Sequence, residues 1–271
     1  MNIRALEDKA HVLRQTQFQM CIRAGKGHLG GAFSITEVLT ALYFSGLFRF
    51  SPEWQKKPNR DRLIFSKGHA CLALYVVLAE AGFFQKEELW KHGENGTILG
   101  GHPDHHIPGV EISSGSLGHG LGIAAGLALS AKLDKKDFLS IAILGDGECN
   151  EGSVWEAAAF GRQQALSTLV AIVDNNGVGA TSKTDYLGSQ NMMPGRWKAF
   201  GWDVAEIDGH DLTSIMPVFE TLRSRRASQP LAIIAHTVKG KGVSFMENDH
   251  HWHHGVPKGE QLETAKKELG I

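Results

Sequence analysis

At 271 residues the chain has the length of one large α/β domain with a sizeable core, and its 28 lysines and arginines nearly balance 29 aspartates and glutamates. No basic field argues for nucleic acid or for an acidic membrane surface. Three scattered cysteines, Cys21, Cys71 and Cys149, suit the reducing cytoplasm rather than a disulfide scaffold, and the N-terminal stretch lacks the apolar core of a signal peptide.

In chain order, apolar residues recur at helical spacing from Ala5 to Ala24, ahead of Gly25-Lys26-Gly27-His28. Ser34, with Glu37 three residues on, predicts the N-cap of a second helix reaching Tyr43 or Phe44. Arg62–Phe65 reads as a short strand running into Ser66-Lys67-Gly68-His69, and Ala70–Ala81 as a buried helix. The segment from Ile112 to Ala131 has no Asp, Glu, Lys or Arg. Its His119 and many small residues predict a closely packed buried helix rather than a membrane span. Further on, Asp203–Ile207 predicts a strand, Leu212–Arg225 an amphipathic helix and Leu231–Val238 a last core strand. Strands alternating with helices predict an α/β fold, a mostly parallel central sheet with helices on both faces, as one domain over 1–271.

The middle of the chain carries most chemistry. Apolar runs at Leu139–Leu144 and Leu169–Val173 flank a helical pattern that begins near Glu151 to Ser153. Such a βαβ unit is right-handed, so its two breaks, Gly145-Asp146-Gly147 and Asp174-Asn175-Asn176, share the carboxyl edge of the sheet, where ligands bind. Glycines and a helix start suit a phosphate, yet a bare Asp146 would repel one. A hard divalent cation held by Asp146 and Asn176 removes the conflict, which makes the expected ligand a metal-bridged diphosphate. A dinucleotide fingerprint fits poorly, because Asn150 stands where GxGxxG needs glycine.

Glycine is paired with histidine in four loops: Gly27-His28, Gly68-His69, Gly101-His102 and the run His250-His251-Trp252-His253-His254 ahead of Gly255. Neutral imidazoles can donate to phosphate and hydroxyl groups and move protons near pH 7. Zinc is the competing reading, through His102-x-x-His105 and His251-x-x-His254, although neither spacing is a zinc signature. His92, His210, His236 and His250 are expected to be surface or structural, and the Lys239–Gly242 loop to lie close to the site.

GDG with NN about thirty residues on resembles the thiamine diphosphate motif. With GKGHLGGAFS (25–34), SKGHA (66–70), GGHPD (100–104), SGSLGHG (114–120), TVKGKGVSFMEN (237–248) and HHGVP (253–257), the chain resembles the diphosphate-binding N-terminal part of transketolase. The resemblance implies thiamine diphosphate with Mg2+ (or Ca2+ or Mn2+), the metal held by Asp146, Asn176 and the Val178 carbonyl. His69, Gly115, Leu117, Gly147, Glu151, Asn176 and His254 would meet the cofactor. His28, His69, His102 and His254 would act on a ketose donor, and Glu156 would couple to the partner's catalytic glutamate. His119 replaces the family's usual glutamine. Because a whole transketolase adds pyrimidine-binding and C-terminal domains, the resemblance implies the N-terminal subunit of a split enzyme. That subunit would be active only with a C-terminal partner, as an α2β2 heterotetramer acting on sugar phosphates. A 2-oxoacid dehydrogenase α-like subunit, deoxyxylulose-phosphate synthase and a non-catalytic cofactor-binding module are the alternatives.

Overall fold

The computed structural model describes residues 2–184, 189–225 and 227–271. Five strands form one sheet: β1 (Arg62–Phe65), β2 (Ser140–Gly145), β3 (Leu169–Asn175), β4 (Asp203–Asp208) and β5 (Leu231–His236). Their order is β1-β2-β3-β5-β4, every pairing is parallel, and the expected strands thus form within a residue or two of their sequence positions. Alternation along the strands sorts the core into two layers. Ile141, Ile143, Val170, Ile172, Leu231 and Ile233 pack on one face. There they meet α1 (Ile3–Ala24), α3 (Thr36–Phe44), α4 (Cys71–Glu80) and α8 (Leu212–Thr221). Ala142, Leu144, Ala171, Val173, Ala232 and Ile234 face the other way. They lie under α5 (Gly120–Leu133), α6 (Gly152–Gln163) and α7 (Ser189–Ala199). A last helix, α9 (Glu260–Leu269), packs against α1.

Several local expectations need correction. Ser34 does not cap a helix. It ends the short helix α2 (Leu29–Phe33), Ile35 takes the N-cap of α3 without a side-chain bond, and Ser34 Oγ donates to Asp174 Oδ2 at 2.5 Å. Glu37, expected to reach back to the cap, instead accepts from Arg14 and pairs with His210 at 2.9 Å. The charge-free segment is only partly helical: Gly120 starts α5, and Ile112–His119 stays irregular. The amphipathic helix after β4 stops at Thr221. No helix among the described residues is long and apolar enough to cross a membrane.

The β2-α6-β3 unit places the two breaks as its handedness requires. Gly145 pairs with Asp174 in the ladder, and the Asp146 N–H donates to the Asp174 carbonyl at 3.2 Å. Loops after β1, β2, β3 and β5 therefore converge at one edge.

Candidate active site at the carboxyl edge of the sheet

A cavity of about 440 Å³ opens where these loops meet. Its wall includes His28, His69, His102, Gly115 and Leu117 together with Asp146, Gly147, Asn176 and Val178. The histidine-bearing loops and the GDG and NN breaks, spread over most of the chain, thus share a single cavity.

Asp146 is buried, and each of its oxygens is already oriented by the backbone. Oδ1 accepts from the Gly147 N–H at 2.8 Å, while Oδ2 accepts from Gly177 N–H at 2.7 Å and Thr184 Oγ1 at 3.0 Å. Burial and the neighbouring Asp174 carboxylate still push its pKa up. A carboxylate so placed is short of positive charge, which a divalent cation would supply. Asn176 donates from Nδ2 to Asp174 Oδ2 at 3.3 Å, so its amide oxygen is on the opposite side, where it accepts from Val178 N–H at 3.1 Å. The Val178 carbonyl is engaged by Lys239 Nζ at 3.0 Å. Three oxygens of the hard type, on adjacent strand-end loops, fit a hard cation.

Close backbone approach depends on glycine at two points. Gly115 has φ +140°, and a Cβ there would meet the His102 ring at 3.1 Å. At Gly68 a Cβ would fall 2.7 Å from Ser114 Oγ and 2.8 Å from the Gly115 nitrogen, so the 114–118 turn can pass only over glycine. Glu148 fastens that turn. Its buried carboxylate accepts from Gly118 N–H at 2.9 Å, Gly145 N–H at 3.0 Å and the Ser66 hydroxyl. One side chain thereby ties the ends of β1 and β2 to the start of α5.

The imidazoles form a cluster around His28. Its ring centroid lies 5.7 Å from His69, 6.4 Å from His102, 5.2 Å from His253 and 4.7 Å from His254. Burial and the neighbouring His254, His102 and Lys239 lower the pKa of His28 from 6.5 to about 4. Burial, then Lys67, hold His69 well below its ordinary value. His28 and His69 are therefore neutral at pH 7, able to donate from one nitrogen and accept at the other.

Other expected site residues stand apart from the wall. His254 is exposed and touches the cluster through His28, while His253 takes the wall position. Glu151, just before α6, and Glu156, within it, are exposed and line no part of the cavity. His119 is exposed at the start of α5. Neither H-x-x-H pair forms a ligand set among the described residues. The groups that come within 4.8 Å are the contiguous Asp104-His105-His106 and Asp249-His250-His251, with His102 and His254 outside them. His92 is buried with Nδ1 3.0 Å from the Leu99 carbonyl, and His236 pairs with Glu206 at 3.0 Å.

Sequence reasoning missed four residues beneath or beside the wall: Lys67, Glu148, Asp174 and His253. Lys67 and Asp174 form a fully buried ion pair under the cavity. A buried lysine following a strand-end serine was the available signal for the first. Nothing local marks Glu148, whose partners are distant in sequence or backbone.

The family profile described as "Transketolase, thiamine diphosphate binding domain" matches residues 7–271. The chain belongs to the transketolase family. Its cofactor is accordingly thiamine diphosphate used with a divalent metal. An apulose-4-phosphate transketolase subunit from Phocaeicola vulgatus is 43% identical over 99% of this chain and 95% of its own length. The 6-deoxy-6-sulfo-D-fructose transketolase subunit SqwG of a Clostridium species is 38% identical over 97% of this chain and 96% of its own. Transketolase from Campylobacter jejuni superposes with a TM-score of 0.91 at 29% identity, covering 100% of this chain and 43% of that one. The chain thus spans under half of that transketolase but nearly all of the two relatives named as subunits.

Proposed function

We propose that the chain is the diphosphate-binding N-terminal subunit of a split transketolase. In this reading it is a transferase that moves a two-carbon ketol unit from a ketose phosphate to an aldose. One domain, 1–271, would hold the cofactor tail, and a C-terminal subunit with the pyrimidine-binding domain would complete an α2β2 heterotetramer. The observation carrying the reading is the meeting of Asp146, Asn176 and Val178 with His28, His69 and His102 in one cavity. Cytoplasmic residence accords with three buried free thiols.

Asp146, Asn176 and the Val178 carbonyl would hold the divalent ion, taken as Mg2+. Gly147, Gly115, Leu117 and His69 would meet the cofactor. When bound, thiamine diphosphate supplies the electron sink for cleaving the ketose C–C bond. His28, His69 and His102 would donate hydrogen bonds to donor oxygens and take or return protons there. His254 would join them from the cluster's outer side. Glu151 and Glu156, exposed at and beyond the start of α6, would face the partner.

Asp146→Ala tests the metal-diphosphate role. It should abolish Mg2+-dependent cofactor binding, read by titration calorimetry, and retained Mg2+-dependent affinity would refute the assignment. Ketol transfer should appear only when the chain is combined with its C-terminal subunit, cofactor and a ketose. A combination that binds cofactor but transfers nothing would favour the non-catalytic module.

A further inference from the structure

The H-x-x-H pairs do not close on a metal, but the loop after His102 gathers donors of the same type from other residues. Its turn is set by Asp104, whose Oδ1 accepts from the His106 N–H at 2.9 Å. That turn folds two neighbouring imidazoles back onto the carboxylate. His106 Nδ1 lies 2.6 Å from Asp104 Oδ1, and His105 Nδ1 lies 3.6 Å from the same oxygen. The two ring centroids are 3.9 Å apart. One carboxylate oxygen and two ring nitrogens thus lie within 4.8 Å of one another.

A second segment closes the cluster. The Ser113 hydroxyl stands 3.0 Å from His105 Nδ1, donates to Asp104 Oδ2 at 3.1 Å and accepts from the His105 N–H at 3.1 Å. Ser114 N–H donates to the Pro103 carbonyl at 3.0 Å. The cluster therefore ties the loop that carries His102 to the segment entering the 114–118 turn. Asp104, His105 and His106 line no part of the cofactor cavity. Their side chains are 49%, 57% and 79% exposed, which leaves an open path for an ion and room for water on its remaining positions.

Donor type selects the ion. Oxygen sets such as the one at Asp146 suit Mg2+, whereas imidazole with one carboxylate suits Zn2+, Ni2+ or Cu2+. Zinc bonds of 2.0–2.2 Å in a tetrahedron set ligand atoms roughly 3.4 Å apart. The 2.6 and 3.6 Å separations bracket that spacing, and exposed rings can rotate to meet it. A neutral ring that carries its proton on Nδ1 would shift it to Nε2 and present the Nδ1 lone pair, with no proton gained or lost. Asp249-His250-His251 repeats the order and the turn, with His251 Nδ1 2.7 Å from Asp249 Oδ1. Ser113 makes the difference, since it holds the first cluster from a second segment.

We propose that Asp104, His105 and His106 form a site for a borderline divalent transition-metal ion, Zn2+, outside the cofactor cavity and separate from the Mg2+ position at Asp146. The bound ion would clasp the His102 loop to the segment that leads into Gly115.

Zn2+ titrated calorimetrically into the full chain in excess Mg2+ should show one tightest event per chain. Asp104→Asn, His105→Ala and His106→Ala should each weaken that event at least tenfold, while Asp146→Ala, His28→Ala and Asp249→Asn should leave it within twofold. Loss in Asp146→Ala or His28→Ala instead would put the ion in the cofactor cavity, and loss in Asp249→Asn would put it on the other loop. Either result overturns the proposal, as does a wild-type chain with no saturable event. Cu2+ as a spectroscopic probe reads the donors directly. Its electron paramagnetic resonance spectrum should carry superhyperfine splitting from two imidazole nitrogens, reduced to one in His105→Ala and in His106→Ala. A splitting unchanged by both variants would also overturn the site.

Discussion

Asp174 is fully buried and collects donors from four separate elements: Lys67 after β1, Ser34 after α2, Thr237 after β5 and the Asn176 amide. Burial alone would raise its pKa, but Lys67 and the hydroxyl donors bring it below the ordinary value. Removing the cation leaves an uncompensated buried charge, which costs about 3–5 kcal/mol. Lys67→Met should therefore lower the urea midpoint sharply and weaken cofactor binding, as the Asp174 carboxylate that orients the Asn176 amide loses its counter-charge. Unchanged stability would mean that the pair carries little of the floor. The histidines give a second residue-scale expectation. His28 and His253 have pKa values lowered from 6.5 to about 4 and about 3, each against burial and the cations and rings around them: Lys239, His102 and His254 for His28, and Lys239, His28, Lys67 and His254 for His253. Folding disfavours their charged forms, so below pH 6.5 the unfolded chain binds more protons than the folded one. Stability should fall as pH drops from 6.5 towards those lowered values. Thermal unfolding at pH 7.5, 6.0 and 5.0 should show it, and His28→Gln should flatten the slope.

At the level of elements, the strands were legible because each is an apolar run ended by glycine or a polar residue, and α1 because its period is 3.6. What escaped was set by distant partners. Ser34 and Glu37 look like a capping box, yet Asp174 and the Arg14–His210 pair draw them elsewhere, since burial gives those partners more to satisfy than a helix end does. The helix Ser189–Ala199 contains Pro194 and Gly195 and lacks an apolar stripe, so nothing local predicts it. The 114–118 turn was visible as a glycine-rich motif but its dependence on Gly68 was not, because the clash is between segments. Gly68→Ala should cost about 1–3 kcal/mol by forcing Ser114 and Gly115 outward, and should weaken cofactor affinity more than stability. Gly101→Ala, with no atom within 4 Å of the added Cβ, is the matched control and should be near neutral. Equal losses in the two variants would remove the steric account.

For the molecule as a whole, the site's identity was readable from loops at one sheet edge, but its full wall was not. Asp146, Asn176 and the cavity histidines stand out by residue type, whereas Lys239 and His253 take their places through contacts between segments distant in sequence. The same topology explains why partner dependence is the reading we favour. α5 and α6 cover one face of the sheet yet leave Ile123 40% and Phe160 37% exposed, with Glu156 one turn before Phe160 on α6. An exposed Phe160 one turn from Glu156, on the helix that follows Gly145-Asp146-Gly147, with Ile123 exposed on the neighbouring α5, suits the subunit contact proposed above. The combined variant Ile123→Glu, Phe160→Glu should leave the isolated chain's melting temperature nearly unchanged, because both side chains already meet solvent. Mixed with the C-terminal subunit, it should elute as separate species in size-exclusion chromatography where the unaltered chain co-elutes. Co-elution of the variant would place the subunit contact on another face, and the orientation of Glu156 would then need a different explanation.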